Sequence, residues 1–186
     1  MKKLGLVVGF AIGTLLLMTG CTIGEDLANT PTKQVEAMLS KYQTLDEAVL
    51  KDLDKVAAEE ESFNTKQRDA YKKLMKKHYQ DLVYQIKDEK VDGDDATVEV
   101  EIEVRNYAEA FKKAEEYRKN HESEFYGADK KFDKSLYMDY KLKQMEESKE
   151  KVTYTLELAL TKKDGKWILD NLSRTDKEKI QGIYEE

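Results

Sequence analysis

Hydrophobic residues recur at helical spacing along residues 31–56. Thr30 followed by Pro31 indicates a helix start, because a hydroxyl can cap a helix and proline fits its first position. Thr44, three residues before Glu47, suits a second cap. The pattern predicts two helices with a break near residue 43, and their buried sides comprise Val35, Met38, Leu39, Tyr42, Leu45, Val49, Leu53 and Val56.

A third helix and a hairpin are predicted over residues 64–105. The helix starts near Asn64, and its apolar stripe comprises Ala70, Tyr71, Leu74, Met75, His78 and Leu82. The period then changes to two, since charged residues alternate with Val98, Val100, Ile102 and Val104. Asp92-Gly93-Asp94 is typical of a turn, so residues 82–88 and 96–105 are predicted to pair.

The second half of the chain repeats this order of helix and hairpin. Helical spacing returns over residues 107–121 and again over 133–149. Two-residue alternation follows at Val152, Tyr154, Leu156, Leu158 and Leu160. Asp164-Gly165 predicts a second hairpin turn before a strand over residues 166–172, and a short helix is predicted over 176–184.

These elements predict an α+β fold, with residues 31–186 as a single domain. Amino-terminal helices are expected to pack on one face of a curved, four-stranded antiparallel sheet, because the helices are grouped instead of alternating with strands. The stretch of about residues 107–149 is then a helical insertion between strands 2 and 3.

The amino end has a different pattern. Lys2 and Lys3 precede an uncharged, mostly apolar run of 15 residues from Leu4 to Met18. As a helix this run spans roughly 22 Å, less than a bilayer core of about 30 Å. It therefore indicates a signal peptide, residues 1–20, instead of a permanent transmembrane anchor.

Leu17-Met18-Thr19-Gly20-Cys21 resembles the lipobox of bacterial lipoproteins, with Met18 where Leu is usual. The resemblance implies cleavage between Gly20 and Cys21, a diacylglyceryl group on Cys21 and often a further acyl group on the new amino end. Two or three acyl chains hold a protein stably on a membrane. The resemblance thus implies an anchor at the outer face of the cell membrane. An ordinary secretory signal with an incidental cysteine is the alternative.

Residues 21–30 then comprise the lipidated cysteine and a tether. The nine residues from Thr22 to Thr30 span at most roughly 30 Å, which keeps the domain near the membrane. Cys21 is the only cysteine, so the fold has no intrachain disulfide.

Charge narrows the range of partners. The chain has 32 basic and 38 acidic residues, and without Lys2 and Lys3 the remaining 30 basic residues leave a net charge of −8. An acidic domain is repelled by nucleic-acid phosphates and by anionic lipid. We therefore expect no nucleic-acid partner, and membrane attachment through the lipid on Cys21.

The chain also resembles nuclear transport factor 2-like (cystatin-like) domains, which often follow a lipobox in Gram-positive bacteria. The resemblance is carried by the helix pair that starts at Thr30-Pro31 and by the two hairpins around Asp92-Gly93-Asp94 and Asp164-Gly165-Lys166-Trp167. It implies a cone-shaped cavity between sheet and helices, which some members use for ligands or catalysis. The insertion over residues 107–149 departs from a minimal member.

Few residues suggest catalysis or metal binding. His78 lies on an apolar stripe and His121 lies late in a helix, and both are interpreted as structural. Neither has a further His or Cys at ligand spacing, so we expect no metal and no cofactor. The acidic residues over 88–95 favour a solvated turn over a calcium loop. A solvated sheet face, or a cation-attracting wall if a cavity lies there, is predicted for Glu99, Glu101 and Glu103.

Tyrosines provide the candidate ligand pocket. Most are expected to fill the core, where a tyrosine packs its ring and keeps a polar tip. The alternative is an aromatic pocket with inward hydroxyls, lined by Tyr84, Tyr107, Tyr154 and Trp167.

The leading hypothesis is a non-catalytic, membrane-anchored binding or interaction domain, for a small ligand or a cell-envelope protein. Two alternatives stay open. One is an enzyme that uses the implied cavity, and the other is a partner-docking module that uses the helices of residues 107–149. An exposed apolar strip on those helices would favour the second alternative.

Overall fold

The computed structural model describes residues 29–185. They form six α-helices: α1 Pro31–Thr44, α2 Glu47–Glu59, α3 Thr65–Gln80, α4 Tyr107–Asn120, α5 Lys134–Glu147 and α6 Arg174–Ile180. One antiparallel sheet has the order β1-β2-β3-β4, with β1 Val83–Asp92, β2 Asp95–Arg105, β3 Lys151–Lys163 and β4 Lys166–Leu169. Three helices precede the sheet and α4 and α5 lie between β2 and β3, so the predicted α+β fold is confirmed.

The predicted break between α1 and α2 is confirmed, but the predicted cap is wrong. Leu45 turns the chain with a left-handed φ of 56°. Asp46 then caps α2 by accepting a hydrogen bond from the Ala48 amide at 3.0 Å. Thr44 instead donates its hydroxyl to the Ser40 carbonyl, 2.8 Å away within α1. A carboxylate also complements the positive end of the helix dipole, which a threonine hydroxyl does not.

Both predicted hairpins form. β1 and β2 pair as far as Asp92 and Asp95, so β1 runs four residues beyond the predicted 82–88. β4 ends at Leu169, three residues before the predicted limit. Gly93 and Gly165 have φ of 61° and 77°, the left-handed conformation that tight hairpin turns require.

The core fills the space between the helices and one face of the sheet. Val98 and Val100 of β2 and Leu156 of β3 are fully buried, in one cluster with Leu39 of α1 and Met75 of α3. The other face is solvated, and its acidic residues pair with lysines in two places: Glu101 with Lys87 at 3.6 Å and Glu103 with Lys151 at 2.6 Å.

The insertion is an antiparallel helical hairpin with an aromatic cluster of its own. A 3₁₀-helix, Glu122–Phe125, joins α4 towards α5 and buries Phe125. The Phe125 ring contacts Tyr117 of α4, and Tyr137 and Tyr140 of α5, at centroid distances of 6.3, 5.5 and 5.5 Å. The hairpin tip is thus held by ring packing away from the main core.

The chain end closes over the buried ring of His78. His78 Nε2 donates a hydrogen bond to the Ile180 carbonyl at 2.8 Å, and the Ala108 amide donates to the Gly182 carbonyl at 2.9 Å. Gly182 has a φ of 70°, and a Cβ there would overlap the Arg105 carbonyl oxygen and lie 3.0 Å from His78 Cε1. Only glycine fits this close approach without a shift of the backbone.

Candidate functional site

The predicted attachment residues cannot be placed in the fold. Gly20 and Cys21, the expected cleavage and lipidation residues, lie outside the described residues 29–185. Their roles therefore stay predictions from the sequence.

The four predicted pocket residues lie on four different elements. Tyr107 of α4 stacks on His78 with ring centroids 4.8 Å apart, and it borders a groove between α3 and α5. Tyr154 of β3 donates its hydroxyl to the Tyr184 carbonyl at 2.9 Å and borders a different recess, beside α4. Trp167 of β4 is buried and Tyr84 of β1 is half-buried. The fold brings Tyr107 and Tyr154 to separate concavities.

A cavity with a mostly apolar lining lies between helices, not against the sheet. It is bordered by the end of α2, by α3, α4 and α5, and by the residues after α6, and has a volume of about 380 Å³. This is within the usual range for small-molecule sites. We call it the Lys141 pocket, and its wall includes Phe63, Tyr71, Phe111, Met138, Leu142 and Met145.

Lys141 brings a positive charge into this apolar surface. Its Nζ lies 4.4 Å from the Phe111 ring centroid and 6.0 Å from that of Tyr137, so the ammonium contacts ring faces. Within residues 29–185 it makes no ion pair and no hydrogen bond. Burial lowers the pKa of Lys141, because the charged form loses hydration.

Two carboxylates, Glu60 and Glu115, interact electrostatically with Lys141, but each is hydrogen bonded to other partners. Glu60 accepts the Ser62 hydroxyl at 2.5 Å, and this bond lowers the pKa of Glu60. Glu115 is bound by Arg118 at 2.5 Å and by the Tyr137 hydroxyl at 2.8 Å, and these bonds lower the pKa of Glu115 to about 2. Both therefore attract Lys141 from a distance without hydrogen bonding to it.

Tyrosine hydroxyls extend the pocket towards α1. Burial raises the pKa of Tyr71 to about 12, and it raises the pKa of Tyr79 as well. Both hydroxyls consequently stay protonated at neutral pH and can donate hydrogen bonds. A smaller recess of about 200 Å³ adjoins the pocket and shares Val56, Glu59, Tyr71 and Gln181 with it.

Comparison with known proteins adds no assignment. No family model, curated protein or solved structure matches the chain. Among residues 29–185, no group of three His, Cys, Asp or Glu is placed to hold a metal ion. No helix in that part of the chain is both long and apolar enough to cross a membrane.

The two histidines lie apart from the pocket. His78 is 1% exposed, and burial lowers its pKa to about 4, so it is neutral at neutral pH. His121 is exposed and stacks on Tyr117 with ring centroids 4.0 Å apart. The sequence predicts a packed or partly exposed His78, and the structure shows it packed in the core.

A second, more polar groove lies between α3 and α5. It has a volume of about 620 Å³, and its lining includes Lys66, Lys73, Lys77, Asp139 and Glu146. Charges of both signs at a solvated rim are strongly screened, so they attract a ligand weakly. The Lys141 ammonium is half-buried against aromatic rings, so solvent screens it less and it attracts an anion more strongly than the charges of this groove.

Lys141 is the residue that sequence reasoning missed. It lies two positions from the solvent-exposed Lys143, and nothing in the local sequence separates the two lysines. The available signal is the spread of apolar residues on α5, which occur on more than one side of the helix: Tyr137, Met138, Tyr140, Leu142 and Met145. Such a helix packs on two neighbours, and a lysine between its apolar positions becomes enclosed.

Proposed function

We propose that the chain is a membrane-anchored binding domain whose Lys141 pocket takes a small amphipathic ligand with an anionic head. The apolar wall receives the ligand's body, and the Lys141 ammonium receives its carboxylate or phosphate. Protonated Tyr71 offers a further hydrogen bond from the pocket wall. The proposal includes no chemical step.

The observation that carries this proposal is an ammonium without a counterion in an apolar cavity. A desolvated cation that lacks a partner costs stability, and an anionic ligand recovers part of the lost electrostatic energy. Because the surroundings are less polar than water, the ion pair with the ligand is stronger than one at an exposed surface. The apolar contacts of the ligand's body add to this.

The anchor part of the proposal rests on the sequence. The signal peptide pattern and the lipobox around Cys21 support attachment to the outer face of the cell membrane. Attachment there places the pocket close to a source of amphipathic molecules. The resemblance to nuclear transport factor 2-like domains stays a prediction, and the order of helices followed by sheet is compatible with it.

Isothermal titration calorimetry with octanoate and with octanol tests whether the Lys141 pocket binds an anionic head. Both probes have the same alkyl chain, so their difference in affinity measures the contribution of the charged head. We expect the wild-type chain to bind octanoate more tightly, and Lys141→Met to lose about tenfold of that preference, as for one charge-assisted contact. Lys143→Met is the matched control, because Lys143 lies on the same helix in solvent.

Equal affinity of the wild-type chain for acid and alcohol would contradict the anionic head. Loss of the preference in Lys143→Met as well would show that the general charge of the helix, and not the pocket, selects the acid.

A second candidate function is supported by a specific observation. The exposed large apolar side chains of residues 107–149 are concentrated at the tip of the helical hairpin, where Tyr126, Phe132 and Leu136 are exposed. An exposed strip of this kind favours a docking role for the helical insertion.

A further inference from the structure

The tip of the α4–α5 hairpin, residues 126–136, presents large apolar side chains to solvent. Tyr126, Phe132 and Leu136 are 39%, 39% and 41% exposed. Single exposed apolar residues are common on soluble domains, but three within one short segment form a patch that indicates an interaction surface.

The backbone of the tip is well defined by hydrogen bonds. Tyr126 and Phe132 form an isolated antiparallel bridge, the Gly127 amide donates to the Lys131 carbonyl at 2.8 Å, and the Asp133 amide donates to the Phe125 carbonyl at 2.7 Å. The buried Phe125 ring supports this turn from below. The patch is therefore preorganised, and ordering it on binding costs little.

Two lysines of the tip, Lys130 and Lys134, are not paired with a carboxylate of the described residues. Asp133 accepts from the Ser135 amide at 2.8 Å, and Asp129 accepts from the Lys131 amide at 3.1 Å, so both carboxylates are engaged by the backbone. Among the described residues, Lys130 and Lys134 have no ion pair. The tip thus combines an aromatic patch with unpaired lysines.

We propose that this tip is a second contact with the membrane, in which Tyr126, Phe132 and Leu136 enter the interface of an anionic lipid surface. Aromatic rings favour the level of the lipid headgroups, and nearby lysines attract anionic headgroups. This inference rests on the anchoring part of the proposed function. A tether of roughly 30 Å keeps the domain near enough for a weak contact to be occupied.

The acidic character of the whole chain does not oppose a local contact of this kind. Electrostatic repulsion between exposed charges is screened beyond about 8–10 Å at physiological ionic strength. The lipid surface therefore senses mainly the tip's own charges, in which Lys130, Lys131 and Lys134 outnumber Asp129 and Asp133 by one. Lys131 lies 3.9 Å from Asp129, so Lys130 and Lys134 are the lysines left for lipid headgroups. The bilayer is favoured over a protein partner because the tip pairs aromatic rings with cations and the anchor supplies the surface.

Tryptophan fluorescence on vesicles tests the contact. The lipidated full chain is reconstituted into phosphatidylglycerol vesicles with brominated acyl chains, and flotation establishes anchoring. We expect quenching of the new fluorophore in Phe132→Trp, with a blue shift, and loss of that quenching when Lys130→Gln and Lys134→Gln are added. Val83→Trp is the matched control, since Val83 is 54% exposed at the start of β1. The native Trp167 is buried and supplies the baseline.

Each outcome decides the question. Quenching in Phe132→Trp but not in Val83→Trp supports the contact, and Leu136→Trp repeats the measurement if Phe132→Trp misfolds. Flotation of the chain with vesicles, without quenching at either tip position, would contradict the tip contact but not the anchor. A chain that does not float overturns the anchor and, with it, the tip contact. A blue shift that depends on protein concentration instead of lipid indicates a second copy and overturns the proposal.

Discussion

Burial lowers the pKa of both His78 and Lys141, but the two residues differ in how completely the fold encloses them. Around His78 the C-terminal segment closes completely: the ring donates to the Ile180 carbonyl and Gly182 packs against its edge. Around Lys141 the helices leave a cavity of about 380 Å³, and the ammonium meets rings but no counterion.

The difference separates a structural role from a binding role. His78 loses its charge, since burial lowers its pKa to about 4, and a neutral ring with its N–H satisfied is compatible with a core. Burial lowers the pKa of Lys141 as well, but its ammonium faces a cavity and not a closed core. A charged group that is partly desolvated and open to a cavity is arranged for a ligand more than for stability.

Disrupting the packing of the C-terminal segment around His78 should have the largest effect on the free energy of unfolding. Gly182→Ala places a Cβ against the Arg105 carbonyl and strains a positive φ, so we expect a loss of about 4 kcal/mol in the free energy of unfolding, measured in urea. Gly165→Ala is the control, because it has a φ of 77° with open space around the added Cβ, and should lose only about 1 kcal/mol. Equal losses would mean that the packing over His78 is looser than described.

Acid should destabilise the same region through His78. Its pKa is about 4 in the folded state against 6.5 in the unfolded state, so the unfolded chain binds more protons between these values. Stability contributed by neutral His78 is therefore present above pH 6.5 and is lost as pH falls towards 4, by about 3 kcal/mol in total. Urea unfolding across this range should show the slope in the wild-type chain and in His121→Gln, but not in His78→Gln. A slope that survives in His78→Gln would assign it to other groups.

Removing the Lys141 charge should have the smallest effect on the free energy of unfolding, and should raise it instead of lowering it. Lys141→Met replaces an unpaired, partly buried ammonium by an apolar chain of similar length, and we expect the free energy of unfolding to rise by about 0.5–1 kcal/mol. Lys143→Met should change it by less, because Lys143 is solvated. A clear loss of stability in Lys141→Met would indicate that Lys141 supports the fold.

The fold was predictable because its cues are local. Alternation in β2 and β3, glycine in the two hairpin turns and the Asn64 cap each act within a few residues. The cap of α2 was missed because Asp46 and Thr44 are both good capping residues, and the left-handed Leu45 has no sequence signal. Distinguishing them requires the tertiary position of the turn.

The site was not predictable in the same way. The tyrosines and Trp167 proposed as a pocket are all aromatic, but their elements place Tyr107 and Tyr154 in separate concavities. The Lys141 pocket depends on where α5 packs against α3 and α4. One such contact is the buried Gln67 amide, which donates to the Ser135 carbonyl and the Asp139 carboxylate at 2.9 Å each. Contacts between residues about 70 positions apart leave no periodic trace in the sequence.

The most direct test of the Lys141 pocket is the pKa of Lys141 itself, followed by NMR of its ε-carbon with and without octanoate. In the free protein we expect a pKa below the ordinary lysine value of 10.5, because burial disfavours the charged form. Saturation with octanoate should raise that pKa, since an anion beside the ammonium stabilises its charged form, whereas octanol should not. An ordinary pKa in the free protein, or a pKa that octanoate leaves unchanged, would contradict the account.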